Sequence, residues 1–137
     1  MSKKNGFTLV ELMVVIVIIG ILAAVAIPRI MAAIDRARLV EGPQTLRALA
    51  TAQHVLYVET QEYTEDVNSL GARPTSGAWE FTISAPTTGG FTAVAKLNRN
   101  MTGSNGAATA GETLDIDERD NRNATNGLHS LISDWRN

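Results

Sequence analysis

Apolar residues fall along this chain in two regimes. From Leu12 to Ile27 no charged residue occurs, and the apolar run reaches back to Phe7 with only Thr8 and Glu11 inside it. Phe7 to Ile27 is 21 residues, which predicts a helix of roughly 30 Å, enough to cross the hydrocarbon core of a bilayer. After Pro28 the pattern becomes amphipathic: Ile30, Ile34 and Ala37 recur at helical spacing, opposite Arg29, Asp35, Arg36 and Arg38. Gly42-Pro43 interrupts, and the local rule predicts a break or a kink there. Gln44 to Thr60 then resumes the same period, with Leu46, Leu49, Ala50, Gln53 and Leu56 or Tyr57 on one face, which favours a kinked continuation. A helix running from Phe7 to about Tyr57 would be roughly 75 Å long.

The remainder reads at period two. Trp79, Phe81 and Ile83 form one alternating set, Phe91, Ala93, Ala95 and Leu97 a second, and Leu114 with Ile116 a third. Pro86 to Gly90 joins the first pair, and Thr102 to Gly106 lies in the next connection. The expected fold class is therefore α+β: one long N-terminal helix with a small antiparallel sheet laid on its second half. The expected divisions are a leader (1–6), an apolar helix (7–28), its amphipathic continuation (29–60) and a β-rich head (61–137). Within the head, the loop from about Gln61 to Gly77 and the tail after Asp117 are expected to be variable surface.

Charge changes the picture only locally. The 137 residues hold 12 basic and 14 acidic side chains, so there is no electrostatic footprint for nucleic acid. Cysteine is absent, which excludes disulfide and thiolate chemistry. The charges that matter lie at the start. Lys3 and Lys4 precede the apolar run and, by the positive-inside bias, keep the N-terminus cytoplasmic and send the head outward. A secretory signal peptide has a shorter apolar stretch, about 7–15 residues, ending at a small-residue cleavage site. Here the small residue at a sharp change of character is Gly6, ahead of the run.

Glu11 must be accounted for in any membrane reading, because a carboxylate inside an apolar helix is costly and rarely without purpose. Cleavage between Gly6 and Phe7 would give Phe7 a free α-amino cation, and Glu11 lies four residues on, on the same face. The backbone dipole also favours a carboxylate near a helix N-terminus. Pairing with the amine of a neighbouring chain would turn Glu11 into a register device, since only one axial offset brings the charges together. Gly20 and Pro28 weaken the helix by their own chemistry, the one through backbone entropy and the other through a missing N–H.

The block Lys3-Lys4-Asn5-Gly6-Phe7-Thr8-Leu9-Val10-Glu11-Leu12, followed by the apolar run, resembles the class III leader and N-terminal helix of type IV pilins and type II secretion pseudopilins. The resemblance is specific over about residues 3–35 and architectural beyond, where it implies the pilin fold. It implies that a prepilin peptidase cuts after Gly6 and N-methylates Phe7, that Glu11 directs assembly, and that the helix loosens between Gly20 and Pro28. It further implies a homo-oligomeric helical filament, with an assembly ATPase and an inner-membrane platform as partners. The precursor would sit in the inner membrane, and the assembled form would be an extracellular fibre or a periplasmic pseudopilus.

Three function classes follow. The first is a structural subunit of a type IV pilus-like filament, serving adhesion, motility or DNA uptake. The second is a pseudopilin, which suits the length and the missing cysteines, although the head lacks the Asp-Pro-Trp-Gly type of segment expected of a major pseudopilin. The third is a signal-anchored periplasmic binding domain that never polymerises. No catalytic motif supports an enzyme, and no cofactor is expected. Asp115, Asp117, Asp120, Asn121, Asn123 and Asn126 gather oxygen atoms before Gly127, and calcium takes about six to eight such ligands. The spacing does not fit an EF-hand, and Arg119 and Arg122 interrupt it. A self-paired loop is the expected reading, with Asp115, Asp117 and Asp120 as weak calcium candidates. His54 and His129 stand alone and read as packing residues. Asn100-Met101-Thr102 and Asn123-Ala124-Thr125 match glycosylation sequons, taken here as chance. No Phe, Tyr or Trp lies between Phe7 and Tyr57, so the helix carries no aromatic stripe.

Overall fold

The computed structural model describes residues 6–71, 77–84, 89–102, 107–125, 128, 132 and 135. Lys3, Lys4 and Asn5 of the leader lie outside them, as do residues 85–88 and 103–106 of the two predicted connections. Asn126, Gly127 and His129 are outside them too.

One helix, α1 (Leu9–Thr60), runs for 52 residues, roughly 78 Å. It carries both Pro28 and Pro43 in its interior. Each proline denies an N–H to the carbonyl four residues back, and an interior proline disfavours a helix by about 3 kcal/mol. Something beyond propensity therefore carries the helix through Gly42-Pro43. Packing supplies it: Leu39, Gly42, Pro43, Leu46, Leu49, Ala50 and Gln53 are buried in a single stripe at helical spacing. The helix ends at Gln61, which is left-handed at φ 61° and donates its N–H to the Tyr57 carbonyl at 2.8 Å.

The head is a four-stranded antiparallel sheet of β1 (Trp79–Ser84), β2 (Thr92–Leu97), β5 (Thr113–Asp117) and β6 (Arg122–Ala124), in that spatial order. A separate two-stranded hairpin pairs β3 (Met101–Thr102) with β4 (Ala107–Ala108). Register places Ile83 opposite Ala93, Ala93 opposite Ile116, and Phe81 opposite Ala95, so the predicted alternating sets fall on one face. That inner face meets the second half of α1. Ala93 and Ala95 in the central strand are wholly buried in the cluster that holds Leu46 and Leu49. Alanine there leaves room for the helix to lie close to the sheet.

One expectation fails in the head. The tail after Asp117 is not merely surface. It supplies β6, and Leu128, Ile132 and Trp135 are buried in the core. The Trp135 indole donates Nε1–H to the Asn123 carbonyl at 2.9 Å, and the guanidinium carbons of Arg47 and Arg122 lie 5.7 and 5.6 Å from its ring centroid. The loop after the helix is also anchored. Gln53 is fully buried, its Nε2 donates to the Thr64 carbonyl, and its Oε1 accepts from the Thr64 N–H at 3.1 Å. This tie brings Tyr63 onto Tyr57 and Phe91, at ring-centroid distances of 4.6 and 5.2 Å. Desolvation, with Tyr57 and Glu118 beside it, pushes the Tyr63 hydroxyl pKa up.

Candidate functional site

The first turn of α1 is built by its own side chains. Thr8 is the N-cap, and its Oγ1 accepts the Glu11 N–H at 3.2 Å. The Glu11 carboxylate in turn accepts the Thr8 N–H at 2.9 Å and the Thr8 hydroxyl at 2.7 Å. This reciprocal capping box satisfies two backbone donors that a helix start leaves without partners. Glu11 thus has an intrachain partner even before any cleavage. The signal was legible as a Thr-x-x-Glu spacing ahead of an apolar run, but sequence reasoning sought the partner only in the Phe7 amine.

Gly6 and Phe7 lie just outside the helix, without regular structure and exposed. The peptide bond between them is thus exposed and outside the helix, one residue before the cap. Beyond it, Leu9 to Met31 points its side chains outward on every face, with Ala23 alone half-covered. The head buries none of the most apolar stretch of this helix, which is long and apolar enough to cross a membrane. Gly20 has open space around it, and Pro28 sits eight residues on with no N–H for the Ala24 carbonyl.

The acidic loop is self-contained among the described residues. Asp117 accepts the N–H groups of Arg119 and Asn121 at 2.9 and 2.8 Å and the Asn121 side-chain amide at 2.7 Å. Desolvation acts to raise its pKa, but these hydrogen bonds and the Arg119 charge outweigh it and hold the carboxyl below its usual value. Asp120 stands in the left-handed region at φ 62° and pairs with Arg122. Asp115 accepts from the Asn123 side chain at 2.9 Å. Asp117, Glu118, Arg119 and Asp120 form the tight link of the β5–β6 hairpin, closed by Asp120 N–H to the Asp117 carbonyl at 3.1 Å. No group of three acidic or histidine ligands converges among the described residues.

The remaining candidates have structural employment. His54 is exposed and meets Phe91 edge-on at 5.6 Å. Asn100 Oδ1 accepts the Ala110 N–H at 2.8 Å, and Thr125 Oγ1 accepts the Thr113 N–H at 2.8 Å. A shallow groove of about 360 Å³ lies between α1 and the β5–β6 hairpin, bordered by Arg47, Thr51, His54, Asp117 and Arg122.

Residues 1–27 match the model of the prokaryotic N-terminal methylation motif. The chain is 43% identical over 75 residues to the type IV major pilin protein PilA of Myxococcus xanthus, covering 55% of this chain and 34% of that protein. It is 36% identical over 70 residues to type II secretion system core protein G of Pseudomonas aeruginosa, covering 51% and 49%. To the type IV wide pilus major component PilA4 of Thermus thermophilus it is 37% identical over 86 residues, covering 61% and 66%. The matched stretch therefore spans between a third and two thirds of these relatives' own length.

Proposed function

Because the chain belongs to the type IV pilin and pseudopilin family, we propose that it is the structural, non-enzymatic subunit of a type IV pilus-like filament. The precursor is inserted in the inner membrane with Lys3 and Lys4 on the cytoplasmic side and the head outside. A prepilin peptidase cuts after Gly6 and methylates Phe7. An assembly ATPase and an inner-membrane platform then pack the subunits helix against helix.

The observation that carries this reading is the exposed apolar rod from Leu9 to Met31, beside a head that already has its own core. The rod needs an apolar surrounding and is offered none by its own chain. Lipid supplies it before assembly, and other copies of the same helix supply it after. Because lipid tails are as apolar as the helix, packing and polar pairing must drive the exchange. Glu11 is the polar group available, and opening its bonds to Thr8 frees it for the Phe7 amine of a neighbour.

The pseudopilin reading, a short periplasmic filament, is favoured by the likeness to core protein G and remains the second one. A non-polymerising anchored domain predicts an intact Gly6–Phe7 bond and indifference to Glu11.

Mass spectrometry of the protein from its native cells tests the proposal. The expected species begins at Phe7 and carries one methyl group; a species beginning at Met1 would sink the filament reading. Glu11→Gln keeps a capping acceptor but removes the charge, so insertion and cleavage should persist while fibre yield collapses. Normal yield would refute the register role. Sheared surface fibres seen by electron microscopy distinguish a pilus from a pseudopilus.

A further inference from the structure

We propose that the Trp79 indole is a latch that splints α1 at Gly42-Pro43 and sets the point beyond which unwinding from the apolar half cannot travel. By local chemistry, Gly42-Pro43 is the weakest step in the helix, since the two least helix-favouring residues stand side by side. The helix nevertheless passes through it unbroken. Three contacts from the head converge there.

The first is steric. A Cβ placed on Gly42 would lie 2.7 Å from Cε2 and from Cζ2 of Trp79, so the indole occupies the place a side chain would take. The second is polar: Trp79 Nε1–H donates to the Arg38 carbonyl at 2.8 Å, one turn before Gly42. The third lies at the leading edge, where Arg99 Nη2 meets the Asp35 carboxylate at 2.7 Å. Both Trp79 and Leu39 are buried. From Leu9 to Met31 every side chain is exposed except half-covered Ala23, and Gly20 and Pro28 weaken that half. The opening free energy therefore steps up at Asp35–Arg38, and the head is shielded from whatever happens upstream. The inference concerns the single chain and holds whether or not the chain polymerises.

Hydrogen exchange of the full chain in detergent micelles, read by mass spectrometry, tests it through a reversal of sign. Alanine is the better helix former, so if Gly42 were only a weak point, Gly42→Ala would slow exchange over Leu39–Ala50. With the latch, the new methyl collides with the ring, and exchange there should rise about tenfold. In the Trp79→Ala background the collision is gone, and the same Gly42→Ala change should slow exchange. Trp79→Phe keeps a ring and loses the indole N–H, and should speed exchange severalfold. Slowing by Gly42→Ala in both backgrounds would overturn the proposal. So would a rise over Thr92–Leu97 equal to that over Leu39–Ala50 in Trp79→Phe, because the segment would then open only with the whole head.

Discussion

Gln53 offers a sharp test of how the head is fastened to the helix. Its side chain is wholly buried, and both ends of its amide are committed to one residue, Thr64, eleven positions along the chain. Gln53→Met keeps the length and most of the volume but removes both partners. Two hydrogen bonds at about 1 kcal/mol each are lost, and the part-buried N–H and C=O of Thr64 are left without their side-chain partners. The expected cost is roughly 2–3 kcal/mol for methionine and about 3–4 kcal/mol for alanine, which also leaves a cavity. For a domain of this size that lowers the melting temperature by about 10 °C or more. Trp79 and Trp135 are both buried, so their fluorescence in detergent-solubilised chain reports the transition directly. Gln53→Glu sharpens the result. At neutral pH its carboxylate would face the Thr64 carbonyl, so it should be worse than methionine and recover as acid restores an O–H donor. A methionine variant within about 0.5 kcal/mol of the parent would show that Gln53 is only filler, and the tie would be refuted.

Two further expectations come from the β5–β6 hairpin and its surroundings. Asp117 is held below its ordinary carboxyl value near 3.8, so it contributes stability above that pH and loses it as pH falls through the folded-state value. Asp117→Asn should lower stability at pH 7 and flatten the decline below about pH 4 in acid melts; an unchanged acid slope would contradict the assignment. Gly90 adopts φ +146°, and an added Cβ would sit 2.5 Å from the Glu118 carboxyl. Gly90→Ala should cost about 1–3 kcal/mol, and Glu118→Ala should not rescue it, because the backbone rather than the movable carboxyl sets the cost. Full rescue would reverse that attribution.

The long helix and the inward faces of three strands were legible because both rest on strong periodicity. Leu46, Leu49, Ala50 and Gln53 repeat at helical spacing, and Ala93, Ala95 and Leu97 alternate without interruption. The two short strands of the β3–β4 hairpin and the three-residue β6 are too brief to carry a period. Leu128, Ile132 and Trp135 are likewise isolated apolar residues in a polar tail, and only tertiary contact gives them a face. At the N-terminus the exposed rod could be read from composition alone. The pairing of Glu11 with Thr8 was missed because an intramembrane charge directs attention to an opposite charge, and a hydroxyl with a backbone N–H can serve the same carboxylate. The docking of Trp79 on Gly42 had no local signature. A glycine before a proline reads as a break until the residue that fills the gap arrives from the head.

The alternation of the sheet also separates two kinds of evolutionary freedom. The core takes the inward row, leaving Glu80, Thr82 and Lys96 outward, with Glu80 directly opposite Lys96 in the register. Substitutions at such exposed positions typically move stability by no more than about 0.5 kcal/mol. The helix lies on the other side of the sheet, against the inward row. The outer coat of the molecule can therefore be repainted one residue at a time, in charge or in size, while the part that sets its architecture stays as it is.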